Sequence, residues 1–170
     1  MRSKNVTMIT QGAIIAALYV VLTMIANAMG LANYAIQVRF SEALCVLPVF
    51  TSAAIPGLAI GCLISNVLSG ALVWDVLFGS LATLIGAIGT YVLRKHNVLR
   101  LLPPVISNMI IVPCILRYGY GIMWEMEGVD LSIPYFAITV GIGEIISVCV
   151  LGGVLCKALL PYKNQIFKQN

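Results

Sequence analysis

The sequence predicts an all-α integral membrane protein with six transmembrane helices, forming a single domain over residues 1–170. Two observations lead to this fold class. First, 61% of the 170 residues are hydrophobic and 9% are charged, whereas soluble domains carry about 25% charged residues. Second, the apolar residues form long runs, several of them close to the length of about 20 residues that a helix needs to cross a bilayer.

The first apolar run covers about residues 10–29 and is long enough to span a bilayer. Its basic start and small-residue end resemble a signal peptide, but the length of the run favours a retained helix. The helix carries two pairs of small residues four apart, Gly12 with Ala16 and Ala13 with Ala17. Such pairs let two helices approach closely. They either pack inside this chain or dock to a partner protein.

The second segment, about residues 42–55, is apolar but short for a span. The charges decide whether it crosses, because eight of the ten basic residues lie in three clusters, at the N-terminus, around residues 94–100 and from residue 157 onward. All three clusters should lie in the cytoplasm, so an even number of crossings must precede residue 94. Three clear runs do so, and the short segment must supply the fourth crossing, extended by its neighbours or shielded by other helices.

The four remaining helices are predicted at about residues 57–73, 75–93, 99–117 and 133–156, with both termini in the cytoplasm. The third helix begins with Gly57-x-x-x-Gly61, which again permits close packing. Pro113 should weaken the hydrogen-bond ladder of the fifth helix.

Polar side chains inside or beside the apolar runs mark the candidate ligand site, because each costs free energy there unless it has a partner. Glu144 lies about 16 Å down the sixth helix, and a carboxylate at that depth indicates a ligand or proton role. Asn66 and Asn108 lie inside the third and fifth helices. Asp75 opens the fourth helix, where it serves as an N-cap or as a ligand contact.

The outer side of the predicted bundle adds further candidates. Residues 30–40 form a polar, turn-prone segment in which Arg39 and the neighbouring Glu42 either pair with one another or cover a ligand site. Trp74 and Trp124 belong to the interfacial aromatic belt or stack on a flat ligand. All six acids fall in the outer loops or the outer half of the membrane. This distribution favours a cationic ligand or one rich in hydrogen-bond donors.

Several protein classes are excluded by what the sequence lacks. There is no G-x-x-x-x-G-K-[ST] loop, so any ATP-derived energy must come from another subunit. The five cysteines form no C-x-x-C pair and behave as buried hydrophobes. With His96 as the single histidine, the sequence lacks the constellation of a membrane hydrolase, and no metal or cofactor is expected. A proton-coupled secondary transporter that uses Glu144 stays an alternative, although no inverted repeat supports it.

Four stretches resemble the QueT family of queuosine-precursor transporters: QVRFSEALCVLPVF, IPGLAIGCLISNVLSG, WDVLFGSLATLIGA and VGIGEIISVCVLGG. The resemblance covers roughly residues 12–157, and its more specific parts are residues 75–87 and the helix around Glu144. Members of the family are substrate-binding (S) components of energy-coupling factor (ECF) transporters. The resemblance therefore implies the six-helix S-component fold, in a multi-pass protein of the plasma membrane that is not itself an enzyme. It also implies a partner module of one transmembrane coupling protein and two ATPases, and no nucleic acid.

The resemblance further implies that the small-residue motif Ala13-x-x-x-Ala17 docks to the coupling protein. The implied ligand is a 7-deazaguanine (prequeuosine, its nitrile relative or queuine), captured outside and delivered to the cytoplasm. An S component for another flat vitamin is the alternative within the class. In the expected site, Glu144 accepts the N–H groups of the guanine-like edge, and Glu42 or Asp75 meets the aminomethyl cation. The remaining expected roles are amide hydrogen bonds from Asn66 and Asn108 and a stacking face from Trp74 or Trp124.

Overall fold

The structure, a computed structural model, describes residues 2–31 and 38–167 and is helical over most of them. The all-α fold class is thereby confirmed for the described residues. Most of the turn-prone segment predicted after the first helix lies outside the described part of the chain. The described residues form α1 (Arg2–Ala28), α2 (Ala54–Leu68), α3 (Ser80–Val92), α4 (Leu102–Cys114), α5 (Ser132–Glu144), α6 (Gly152–Leu159) and α7 (Lys163–Ile166).

Segments of π-helix extend or join several of these α-helices. They cover Asp75–Gly79 before α3, Ile115–Gly119 after α4 and Ile145–Leu151 between α5 and α6. Four continuous helices of the described chain are consequently long and apolar enough to cross a membrane: Lys4–Ala28, Asp75–Val92, Leu99–Gly119 and Ser132–Ile166. The six crossings and the cytoplasmic termini stay predictions, because α2 and the segment before it are shorter.

That preceding segment, Phe40–Val49, departs most from the predicted helices. It is a 3-10 helix, which we call the 3-10 segment, and it ends well before the predicted boundary near residue 55. Ten residues of 3-10 helix rise only about 20 Å, less than the thickness of a bilayer core. Most of the segment is nevertheless buried, because it packs against α1, α3, α6 and the π segment Ile145–Leu151. Neighbouring helices thus shield the short segment.

Hydrogen bonds to α1 determine how the 3-10 segment runs. Thr23 Oγ1 donates to Ser41 Oγ at 2.9 Å near its start, and Thr51 Oγ1 donates to Gln11 Oε1 at 2.9 Å just beyond its end. Thr23 and Gln11 lie about 18 Å apart along α1. The segment therefore runs antiparallel to α1 over most of its own length, from the level of Thr23 towards the N-terminal end.

Small residues allow α1 to pack closely against α2. A Cβ at Gly57 would lie 2.7 Å from the carbonyl oxygen of Gly12, and one at Gly61 would lie 3.0 Å from that of Ala16. The Gly12/Ala16 pair therefore packs inside the chain, which was one of the two alternatives. The second pair of small residues, Ala13 and Ala17, is exposed.

The loop before α5, which the sequence predicts to lie outside, folds into a short β-hairpin. Its strands are β1 (Glu125–Met126) and β2 (Val129–Asp130), paired antiparallel. Glu127 and Gly128 connect them with φ values of 52° and 78°, as a two-residue hairpin turn requires at both central positions. Both strands are exposed, in agreement with a solvated loop.

An ion pair ties this hairpin to the end of the fifth predicted span. Arg117 Nε contacts Asp130 Oδ2 at 2.7 Å, and the hydroxyl and amide of Ser132 both donate to Asp130 Oδ1. These two hydrogen bonds from Ser132, followed by the one from Arg117, lower the pKa of Asp130 to about 2. The carboxylate therefore stays ionised, and the pair intact, throughout the neutral and mildly acidic range.

Candidate ligand-binding site

Polar side chains from distant parts of the sequence meet in one cavity between the helices. The cavity holds only about 20 Å³ of free volume in this structure, less than the range of about 300–1,000 Å³ typical of ligand sites, so a bound ligand requires the surrounding helices to move apart. The lining residues are Arg39, Glu42, Gly79, Thr83, Asn108, Val112, Val140 and Glu144. Four of the predicted site residues (Arg39, Glu42, Asn108 and Glu144) are thus brought together.

Glu144 contributes a buried carboxylate with an unused acceptor. It is the last residue of α5, at the junction with the π segment, and its side chain is 8% exposed. Its Oε2 atom is buried and has no hydrogen-bond partner among the described residues. Because an unsatisfied buried oxygen costs free energy, this atom is available to a donor that enters the cavity. Local π-helical geometry is frequent at functional sites.

Glu42, the second carboxylate, is already satisfied by protein donors. The Tyr19 hydroxyl donates to Oε1, and the Cys45 thiol donates to Oε2 at 3.0 Å. Tyr19 was not among the site residues predicted from the sequence. Its spacing could have indicated an inward position, since Tyr19 follows Gly12 by seven residues and Ala16 by three and therefore shares their helix face.

The charges in the wall suit a ligand with donors or a positive charge. Arg39 is the cation of the lining, and Glu42 and Glu144 are its two acids. The oxygens of these two acids are acceptors for polar N–H groups, and acidic side chains attract cations. Arg39 and Glu42 do not form a direct pair, because the ion pair found within 4 Å in the described chain is the Arg117–Asp130 pair.

Asp75 and Asn66 lie behind the wall at Gly79 rather than in it. A Cβ on Gly79 would lie 2.9 Å from Asp75 Oδ1 and 3.2 Å from Asn66 Nδ2. The Asn66 amide donates to the Asp75 carbonyl oxygen at 3.2 Å, and the Tyr120 hydroxyl donates to Asp75 Oδ2 at 3.2 Å. Helical structure already begins at Val73, so Asp75 does not occupy the N-cap position.

The two tryptophans do not line the cavity. Trp74 is 56% exposed and stacks on Phe78 with ring centroids 6.0 Å apart. Trp124 stacks on Tyr135 in the outer loop region, with centroids 4.6 Å apart. Both rings are engaged with neighbouring aromatic side chains, and the apolar part of the wall consists of Val112 and Val140. A stacking role for either tryptophan stays a prediction.

The fold defines a helical membrane protein, and the buried polar cavity is its candidate ligand site. The family model described as QueT transporter matches residues 9–161, and the chain belongs to this family. A protein from Lactococcus lactis subsp. cremoris (strain MG1363), named Queuosine precursor transporter QueT, is 43% identical over 84 residues. That match covers 49% of this chain and 48% of the relative, about half of each. No solved structure matches the chain.

Proposed function

We propose that this chain is the substrate-binding (S) component of an ATP-driven ECF importer in the plasma membrane. In this role it captures a 7-deazaguanine precursor of queuosine outside the cell and delivers it to the cytoplasm. The observation that carries the proposal is the buried Glu144 carboxylate with its unpaired Oε2, set in an enclosed polar cavity. Membership of the QueT transporter family and the name of the Lactococcus relative support the ligand class.

The chemistry of a 7-deazaguanine complements the lining residues. Its Watson–Crick edge presents adjacent N–H donors, which the Glu144 carboxylate can accept in charge-assisted hydrogen bonds. The amide of Asn108, in the same wall, can donate to the carbonyl oxygen of the base. The aminomethyl cation of prequeuosine would be favoured by the acidic side chains of the lining and by Asp75 behind Gly79.

Other predicted site residues take supporting roles in this proposal. Asn66 holds the turn of π-helix at Asp75 through its bond to the Asp75 carbonyl, and so keeps the Gly79 backbone at the wall. Arg39 balances part of the negative charge of the lining. Trp74 and Trp124 would contact a ligand only near the mouth, since neither side chain belongs to the wall.

A partner module of one transmembrane coupling protein and two ATPases completes the proposed importer. The candidate docking face is the outward side of α1, where Ala13 and Ala17 are exposed one turn apart. Small exposed residues permit close helix contact within a membrane. Gly12 and Ala16 support docking indirectly, because their contact with α2 holds α1 against the bundle with its other face outward.

Calorimetric titration of the purified chain in detergent tests the ligand. Prequeuosine, its nitrile analogue, queuine and guanine are compared at the same pH and salt concentration. We expect tight binding of a 7-deazaguanine and weak binding of guanine, since only the former carries the substituent at position 7. If none of them binds to protein that is shown to be folded, the proposed ligand class is wrong, and a panel of other flat vitamins follows.

The unpaired Glu144 oxygen also favours a second candidate, a proton-coupled secondary transporter in which this carboxylate carries the proton. Uptake of labelled prequeuosine into proteoliposomes that contain the chain alone separates the two. An ECF substrate-binding component should show no accumulation there, with or without a proton gradient. Accumulation that a protonophore abolishes would establish the proton-coupled mechanism instead.

A further inference from the structure

We infer that Tyr19 is a positioning residue of the ligand cavity. Its hydroxyl, together with the Cys45 thiol, fixes the carboxylate of Glu42, so that Glu144 is the carboxylate that accepts the N–H groups of the ligand. This inference rests on the proposed function. It assigns ligand recognition to Glu144 and a fixed, protein-bonded position to Glu42.

Hydrogen bonds from buried protein groups hold the Glu42 carboxylate. Each of its oxygens accepts a hydrogen bond from a buried protein group, Oε1 from the Tyr19 hydroxyl and Oε2 from the Cys45 thiol at 3.0 Å. Glu42, Tyr19 and Cys45 are 2%, 1% and 0% exposed. A phenol is the stronger of the two donors, since a thiol donates only weakly. Tyr19 is therefore the main group that determines how Glu42 points.

The packing of α1 explains why the Tyr19 hydroxyl can hold a fixed position. A Cβ at Gly61 would lie 2.8 Å from the Tyr19 Cβ, so α2 packs directly against the base of the side chain. One turn further along α1, Thr23 is bonded to Ser41 in the 3-10 segment. These contacts hold α1 against both α2 and the 3-10 segment that carries Glu42, and the Tyr19 hydroxyl is thereby pre-organised for that carboxylate.

Glu144, unlike Glu42, has a carboxylate oxygen without a donor among the described residues. Both acids line the cavity and both are buried, and the oxygen in question is Oε2 of Glu144. A ligand N–H that reaches this oxygen satisfies a buried group that is otherwise unpaired. At Glu42 the same N–H would add to an oxygen that already has a partner. The greater gain is therefore at Glu144.

A fixed Glu42 also affects affinity. Without the Tyr19 hydroxyl, the carboxylate would sample more rotamers in the empty cavity, and part of the ligand's binding free energy would be used to order it again. The Tyr19→Phe substitution removes only the hydroxyl and keeps the ring. We expect it to weaken the binding of prequeuosine by up to about tenfold, the upper end of the cost of ordering one long side chain on binding.

A double-mutant cycle tests whether Tyr19 acts through Glu42. Prequeuosine is titrated against Tyr19→Phe, Glu42→Gln and the double variant, with thermal unfolding in detergent measured for each. If Tyr19 acts by fixing the carboxylate, the loss should largely disappear in the Glu42→Gln background. Thr90→Val is the matched control, because it removes a buried hydroxyl that has no hydrogen-bond partner among the described residues and lies outside the cavity wall. Its small effect should add to that of Glu42→Gln.

The outcomes separate this inference from the proposed function. The inference is wrong if Tyr19→Phe binds prequeuosine as tightly as the wild type does. It is also wrong if the loss in Tyr19→Phe simply adds to the loss in Glu42→Gln. Either result leaves the proposed function in place. If wild-type protein binds no deazaguanine, the proposed ligand fails, and the same cycle on the unfolding temperature decides whether Tyr19 fixes Glu42. Should Tyr19→Phe not fold, Cys45→Ala replaces it in the cycle, with a smaller expected loss because a thiol is the weaker donor.

Discussion

Glu144 and Glu42 are both acids in apolar surroundings, yet the structure gives them different environments. The Glu42 oxygens have protein donors, while Oε2 of Glu144 has none in the described chain. A sequence contains no record of this difference, because it depends on which side chains of other helices reach each oxygen.

Replacing Glu144 by glutamine tests its role at the scale of a single residue. The amide has nearly the same volume, but it removes the charge and presents N–H groups towards the donors of the ligand. Charge-assisted hydrogen bonds are typically worth about 1.5–3 kcal/mol, so the affinity for prequeuosine should fall by about 10- to 100-fold. Calorimetry on the purified variant measures the change.

Glu125→Gln is the control for that substitution, because it makes the same chemical change on the exposed strand β1. It should bind prequeuosine like the wild type. Undiminished affinity in Glu144→Gln would remove this residue from the recognition of the guanine-like edge, and Asn108 would become the leading candidate in the wall.

Some residues of the site were predictable and others were not, for a physical reason. A carboxylate or carboxamide in an apolar run is costly, and this cost pointed to Glu144 and Asn108. Arg39 and Glu42 were candidates because they lie in or beside the polar, turn-prone segment at residues 30–40. Tyr and Thr are tolerated on many faces of a membrane helix, so Tyr19 and Thr83 carried no comparable signal. Their part in the site depends on which way their helices face, which the packing of the bundle determines.

At the scale of the helices, small residues let α1 and α2 approach closely. The Gly57→Ala variant adds a Cβ that would lie 2.7 Å from the carbonyl oxygen of Gly12, and because both groups are close to the backbone, one helix must shift. Overpacking of this kind costs about 1–3 kcal/mol. We expect the variant to unfold several degrees below the wild type in a thermal scan in detergent.

Gly153→Ala provides the matched comparison. Gly153 lies in α6, and a Cβ there would meet nothing within 4 Å. Alanine has the higher helix propensity, so this variant should unfold at the same temperature or slightly above it. Equal unfolding temperatures for Gly57→Ala and Gly153→Ala would contradict the close α1–α2 packing.

Hydropathy did not predict the helical geometry of the 3-10 segment. The sequence analysis expected a helical crossing at about residues 42–55, and the structure has a buried 3-10 helix that ends at Val49. Hydropathy reports that a segment avoids water but does not report which helical geometry it adopts. Pro48 lies inside the segment and has no backbone N–H to donate, so the geometry depended on tertiary contacts with α1, α3 and α6.

For the whole molecule, the path of the 3-10 segment bears on the predicted six crossings. Thr51 is bonded to Gln11 near the N-terminal end of α1, and the Phe50 ring stacks on Phe167 with centroids 5.3 Å apart. Residues 50–52 therefore lie beside both ends of the described chain. If the termini are cytoplasmic, the turn before α2 should be cytoplasmic as well.

Single cysteines in a background without the five native ones test this topology. A membrane-impermeant maleimide applied to intact cells should label Glu125→Cys, in the outer hairpin. His96→Cys and Ser52→Cys should react only after the membrane is permeabilised. Labelling of Ser52→Cys from outside would show that the 3-10 segment does not reach the cytoplasmic side, and the number of crossings would have to be revised.

The sequence by itself determined that this protein is a helical membrane protein, and its motifs resemble those of the QueT family, to which the chain belongs. Composition and long apolar runs suffice for the first conclusion, because the preference of an apolar run for lipid over water is a sum over its residues and does not depend on how the helices pack. Only the tertiary structure decided that Gly12 and Ala16 pack inward, that Asp75 lies behind the wall, and that Tyr19 reaches Glu42. Those facts depend on the relative rotation and depth of the helices, which arise from contacts between residues far apart in the chain.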